Sequence, residues 1–212
     1  MKQNYQIMLD KKLEELVKAG TRPSLLLHSC CAPCSSYVLE YLSKYFSITL
    51  FFFNPNISAR SEYDMRYAEL VRLVAEMGLD GQVEIVNGDY EPERFFAIAK
   101  GLEHLPEGEE RCHRCYSLRL EDTARLAADG GYDYFTTTLS ISPHKNAEWL
   151  NTIGEEMAKK YGSSYLNSDF KKRGGYLRSC QLSEKHGLYR QDFCGCIYSK
   201  LERDKRLKEE HS

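Results

Sequence analysis

The chain has 212 residues, 42% of them apolar, with 29 Lys and Arg against 31 Asp and Glu for a formal charge of −2. That length supports one ordinary core, and the near-neutral balance excludes a global positive field, so any contact with nucleic acid must come from a local patch. Residues 1–10 are polar and mixed in charge, unlike a secretion signal, and the longest apolar runs, near 50–53, fall far short of the roughly 20 residues of a membrane-spanning helix; a soluble protein of the reducing cytoplasm is expected.

Residues 5–19 place Ile7, Leu13, Leu16 and Val17 near helical spacing and are followed by Gly20 and Pro23. This predicts a helical extension over 1–23, ahead of a single α/β domain over 24–212. Residues 24–28 read as a buried strand, Pro33 suits the first turn of a helix, and 37–46 continue that helix. A second strand over 48–53 stops at Asn54-Pro55-Asn56, and an amphipathic helix over 61–77 ends at Gly78. A third strand over 83–86 precedes helices over 92–100 and 112–128, the latter closed by Gly130-Gly131. Then follow a fourth strand over 132–139, a helix over 147–161, a short fifth strand over 164–166, a weakly structured stretch through Cys180, and a charged helix over 197–210. Strands alternating with helices of this length predict a parallel sheet covered on both faces, with ligands at the carboxyl ends of its strands.

Eight cysteines fall into three tight groups plus one: Cys30-Cys31-Ala32-Pro33-Cys34, Cys112-His113-Arg114-Cys115, Cys194-Gly195-Cys196, and Cys180 alone. Adjacent Cα atoms sit about 3.8 Å apart, below the roughly 4.4–6.8 Å of a disulfide, so Cys30 and Cys31 are better read as sharing a metal than a bond. In a regular strand they would face opposite ways, so the chain must turn there, and a helix starting near Pro33 would aim its free N–H groups back at the thiolates. Cys112 and Cys115, three apart on a helix, present both sulfurs to one centre. Two such pairs make four thiolates, which suit structural zinc and an iron–sulfur cluster equally. Gly195 lets Cys194 and Cys196 converge, as a strained and easily reduced redox disulfide or as ligands of a second metal with Cys34.

Among other candidates, His28 ends an apolar strand and reads as a core or supporting residue, and His113 as exposed. Ser140, Ser142, His144, Lys145 and Asn146, on the loop after the fourth strand, form the polar set for substrate, and Tyr189-Arg190-Gln191 runs straight into Cys194. From 171 to 190 six basic residues (Lys171, Lys172, Arg173, Arg178, Lys185, Arg190) face one acid, Glu184: a nucleic-acid patch or a solvated loop.

The ordered motifs His28-Ser29-Cys30-Cys31-Ala32-Pro33, Phe53-Asn54-Pro55-Asn56-Ile57, Ser61-Glu62-Tyr63, Arg111-Cys112-His113-Arg114-Cys115, Thr136-Thr137-Thr138-Leu139, Ser142-Pro143-His144-Lys145-Asn146 and Tyr189-Arg190-Gln191-Asp192-Phe193-Cys194-Gly195-Cys196 together resemble the cobalamin-independent epoxyqueuosine reductases, the QueH family. The resemblance runs from about residue 24 to 199 and implies a Rossmann-like fold similar to the adenine-nucleotide alpha hydrolases (HUP-like). It implies reduction of epoxyqueuosine at the wobble position of tRNA to queuosine, the last step of queuosine biosynthesis, with electrons from a donor the sequence does not identify and with no DNA or membrane partner. By position it implies a [4Fe-4S] cluster on Cys30, Cys31, Cys112 and Cys115, with Cys194 and Cys196 holding an adjacent iron or cycling as a dithiol. The family admits an aspartate where Cys34 stands, so a thiolate here makes the second site softer. His144 and Tyr189 are candidate proton donors by position, and Ser142, Lys145, Asn146, Lys171, Lys172, Arg173 and Arg190 candidate substrate contacts. Two competing expectations are an ATP-dependent tRNA-modifying enzyme of the pyrophosphatase type, which would want a Gly- and Ser-rich loop where Cys30–Cys34 stand, and a zinc-bearing RNA-binding module.

Overall fold

A computed structural model describes residues 3–210. Helix α1 (Tyr5–Ala19) opens on Asn4, whose side chain accepts from the Ile7 N–H, and closes on Gly20 in the left-handed conformation. Strands β1 (Ser24–His28), β2 (Ser47–Phe52), β3 (Glu84–Asn87) and β4 (Tyr134–Thr137) form one sheet, all parallel, in the order β3-β2-β1-β4. Helices α2 (Ala32–Leu42), α3 (Arg60–Glu76), α4 (Pro92–Ala99), α5 (Glu110–Asp129), α6 (Ala147–Tyr161), α7 (Gly175–Lys185) and α8 (Ile197–Glu210) complete the described chain.

Period-2 alternation divides the core between the two faces of the sheet. Leu25 and Leu27 of β1, with Ile48, Leu50 and Phe52 of β2, pack with Leu9, Leu13 and Leu16 of α1 and with Val38, Leu39 and Leu42 of α2. Leu26, Phe51 and Phe53 turn the other way, onto Ala124 and Ala127 of α5 and Ala158 of α6. The sheet is therefore covered on both sides, the Rossmann-like arrangement the alternation predicts. The leucines of α1, in the segment expected to be an extension, share the core of the first face.

Three local expectations are corrected. The fourth strand stops at Thr137, because the Thr137 hydroxyl accepts from the Leu139 N–H and starts a 3₁₀ turn over Thr138–Ile141. The fifth strand over 164–166 is reduced to a single parallel bridge, Tyr165 to Phe135. The stretch through Cys180, expected to be weakly structured, contains α7; its buried side consists of Gly175, Ser179, Leu182 and Ser183, too small and polar to register as an apolar stripe. Packing on α2, with Arg178 clamped on Glu40 at 2.6 Å, holds it in place. Among the described residues no helix is long and apolar enough to cross a membrane.

The order β3-β2-β1-β4 makes the chain step outward from β1 on one side and return on the other, so a crevice opens between the carboxyl ends of β1 and β4. The loops there carry Cys30–Cys34 and residues 138–146.

Candidate metal centre and substrate cleft

At the end of β1 the backbone of Cys31 is fully extended (φ −175°, ψ 164°) and α2 begins at Ala32 with Pro33 in its first turn. That corner lets the sulfurs of Cys30, Cys31 and Cys34 gather within 4.8 Å of one another, with Cys30 and Cys31 at 3.7 Å. The three share protons unequally. Hydrogen bonds from the Cys30 and Cys34 thiols hold Cys31 well below the ordinary thiol range, while hydrogen bonds with Cys30 and Cys31, together with burial, push Cys34 well up.

Cys112 and Cys115 project from the start of α5 into a narrow cavity that Cys194 and Cys196 complete from the other side. Burial raises all three buried thiols here: Cys112, Cys115 to about 11, and Cys196 further. Cys194 also lines a second, open cleft of about 460 Å³ together with Cys30 and Cys34. Asn56, Glu107 and Lys145 line both spaces, so the two cysteine sets are neighbours across a shared wall. The eight cysteines form no disulfide, and Cys180, half-buried on α7, lines neither space.

The Cys194-Gly195-Cys196 loop is tied on every side. Arg66 Nη1 and Asn56 Nδ2 donate to the Cys194 carbonyl at 3.2 and 3.4 Å, and the Ser58 N–H donates to the Gly195 carbonyl at 3.1 Å. Ser199 Oγ accepts from the Cys194 N–H at 3.0 Å and donates to Glu107 Oε2 at 2.8 Å. Glu107 Oε1 pairs with Lys145 Nζ at 2.7 Å, and the same Nζ donates to Cys194 Sγ at 3.3 Å. Lys145 is only 8% exposed. Burial alone would pull its ammonium down, but Cys194, Tyr116 and Glu107 together carry it well above its ordinary value. Burial would likewise lift the Glu107 carboxyl, and Lys145 brings it below the usual range.

Gly195 has φ +108°, and a Cβ there would stand 3.0 Å from Ile57 Cγ1 and 3.1 Å from Arg66 Nη1. Gly195→Ala therefore combines backbone strain with overpacking and is expected to cost about 1–3 kcal/mol of stability. A denaturant midpoint unchanged from the parent would contradict this.

The remaining candidates separate. Ser142, His144, Lys145 and Arg190 line the open cleft, with the Arg190 guanidinium 6.0 Å over the Tyr176 ring. Asn146 instead caps α6, accepting from the Glu148 and Trp149 N–H groups, and Ser140 is buried among Ser168 and Phe170. Tyr189 stands outside the cleft lining. Of the basic run, Lys171 pairs with Asp169, Arg173 with Asp10 and Arg178 with Glu40, while Lys172 is exposed. His113 packs edge-on against Trp149, and His28 is fully buried. Burial, then the charge of Arg119, drives the His28 imidazole down to about 3, so it is neutral. Its Nδ1 lies 2.8 Å from Thr137 Oγ1, and its Nε2 lies 3.1 Å from the Phe53 carbonyl oxygen and 3.3 Å from Arg119 Nε. Sequence reasoning passed over Glu107, Arg66, Arg119 and Ser199 as site residues; only Asn56 had a local signal, the Asn-Pro-Asn stop after β2.

A family model described as epoxyqueuosine reductase QueH matches residues 25–202. Proteins named epoxyqueuosine reductase QueH are similar over most of their length: that of Streptococcus pyogenes serotype M1 is 41% identical over 205 residues, covering 94% of this chain and 80% of that protein. The Staphylococcus epidermidis protein is 41% identical over 202 residues (93% and 85%), and the Thermotoga maritima protein 36% identical over 186 (85% and 92%).

Proposed function

Because the chain belongs to the QueH family of epoxyqueuosine reductases, we propose that this oxidoreductase reduces epoxyqueuosine at the wobble position of tRNA to queuosine, in the cytoplasm, with residues 24–212 as its catalytic domain and 1–23 as a helical extension. One observation carries the reading: thiols from three distant stretches of sequence converge at the β1/β4 crevice, beside a cleft that opens to solvent. Seven soft sulfur donors in so small a volume fit an iron–sulfur cluster with a second thiophilic metal, and exceed what one structural zinc uses. Cys30, Cys31, Cys112 and Cys115 would hold the [4Fe-4S] cluster, and Cys34, Cys194 and Cys196 the second metal, taken as iron. When bound, these centres supply electrons and Lewis acidity.

The chain's own residues do the rest. Converting an epoxide to an alkene consumes two electrons and two protons and releases water, so protons must be on hand where the oxygen departs. Lys145 Nζ holds one at the wall shared by the two spaces, and His144 stands on the cleft lining. Tyr189, outside that lining, is the weaker of the candidate donors named from sequence. Arg190 and Tyr176 at the cleft offer a cation and a ring face to a nucleotide turned out of its loop, with Ser142 beside them. Lys171, Lys172 and Arg173 lie farther along the chain as contacts for the tRNA backbone; two of the three are already paired with acids, so Lys172 is the freest of them.

The test is anaerobic reconstitution of the full chain, with iron, acid-labile sulfide and zinc counted per chain, followed by incubation with epoxyqueuosine-containing tRNA and a chemical reductant and mass spectrometry of the nucleosides. About four irons with matching sulfide, extra metal, and queuosine as product are expected. Zinc without iron, and no queuosine, would leave a zinc-bearing RNA-binding module as the better description.

A further inference from the structure

Arg119 lies one turn beyond Cys115 on α5, on the same helix face, and is 1% exposed. Its hydrogen bonds go to neutral acceptors: Nη2 donates to Asn54 Oδ1 at 2.5 Å, and Nε to His28 Nε2 at 3.3 Å. Every ion pair among the described residues involves other cations, so no carboxylate neutralises this guanidinium. A buried charge left so costs several kcal/mol unless an anion lies close by. The groups that stabilise its charge against burial are Cys115, Cys30 and Cys194, one from each cysteine group, and the side chain lines the open cleft together with Cys30 and Cys194.

We infer that Arg119 is the built-in counter-ion of the cysteine centre, a positioning residue whose guanidinium offsets the negative charge that thiolates from all three groups bring together. His28 and Asn54 fit this role. A neutral imidazole and an amide oxygen hold the guanidinium without cancelling its charge. Asn54 in turn donates to the Ser29 carbonyl at 3.0 Å, which fixes the cation relative to the loop carrying Cys30 and Cys31. The charge of Arg119 thus remains available to whatever anionic assembly the thiolates form. The inference rests on reading the cysteines as a metal centre, and it concerns a residue outside the ligand set.

The test compares the full-length parent with Arg119→Met and Arg119→Lys, each metal-free, loaded with ferrous iron and sulfide, or loaded with zinc. The reduction midpoint of the iron-loaded protein and the gain in melting temperature on loading are read for all three. Removing the cation disfavours the more negative, reduced state. Arg119→Met is therefore expected to move the midpoint negative by a tenfold or greater change in the redox equilibrium, about 59 mV for a one-electron couple. The gain in melting temperature on loading should shrink, while the metal-free variant is at least as stable as the parent. Arg119→Lys, which keeps the charge and loses the fork, should hold both readouts near the parent. An Arg119→Met protein with the parent's midpoint and loading gain would overturn the inference, as would an Arg119→Lys protein shifted as far as Arg119→Met. If Arg119→Met does not fold, the Lys variant decides: parent-like readouts support the inference, and a midpoint displaced by the tenfold change expected of Arg119→Met overturns it. A parent that loads zinc and no iron refutes the reductase reading separately, and the loading gain with zinc then reports on Arg119.

Discussion

Glu107→Gln is expected to destabilise the protein by about 3–5 kcal/mol, the cost of leaving a buried charge without its partner, in a fold whose total stability is on the order of 5–15 kcal/mol. The stranded charge is Lys145, 8% exposed, whose remaining partner would be the Cys194 sulfur. The reverse substitution should cost less. Lys145→Met replaces the ammonium with an apolar chain of similar length, and Glu107, whose side chain is 28% exposed, can turn its charge toward water. Denaturant midpoints of both single variants and the double variant would measure this asymmetry; equal costs would mean that the pair is solvated. The pH dependence has a definite sign. The Glu107 carboxyl is depressed in the folded state, so its contribution is present above the unfolded carboxylate value and is lost as pH falls through the folded one. The parent should accordingly lose more stability than Glu107→Gln on acidification. Because Glu107 also holds Ser199, and through it the Cys194 N–H, metal retention or turnover should fall about 10–100-fold, as when a support behind a metal ligand is removed.

Where sequence and structure agree, a local chemical signal set the boundary. Helix α1 lies between the Asn4 cap and left-handed Gly20, and α6 between the Asn146 cap and left-handed Gly162, so both match the predicted 5–19 and 147–161. The cysteine groups were legible for the same reason, since each is contiguous. What escaped were tertiary facts. Helix α7 is held by contact with α2 and has almost no apolar stripe of its own. The basic run over 171–190 looks little opposed in sequence because the acids that pair Arg173 and Arg178, Asp10 and Glu40, come from α1 and α2. Glu107 and Lys145 are 38 residues apart, and nothing in either neighbourhood announces the other. Asn146, chosen from sequence as a substrate contact, spends its side chain on a helix cap, a use of Asn that spacing alone does not distinguish.

Single cysteine replacements should have the largest functional effect, and their pattern will divide the seven thiols. The sulfurs of Cys30, Cys31 and Cys34 stand together, while Cys112, Cys115, Cys194 and Cys196 surround the adjoining cavity. The proposed centre divides the same residues differently, with Cys30, Cys31, Cys112 and Cys115 on the cluster and Cys34, Cys194 and Cys196 on the second metal. Under that division Cys112→Ala loses about four irons with their sulfide, whereas Cys194→Ala keeps the sulfide and loses only the extra metal. Both should bring turnover below detection, because the proposed reaction draws on both the electrons and the Lewis acidity of these centres to remove the epoxide oxygen. Were the centre organised by proximity in the metal-free chain, Cys112→Ala and Cys194→Ala would lose iron and sulfide alike. The proposed division is expected to hold. Lys145 donates to Cys194 and to no other sulfur, which sets that sulfur apart from its cavity neighbours Cys112 and Cys115. Cys180→Ser, outside both spaces, should match the parent in iron, sulfide and turnover.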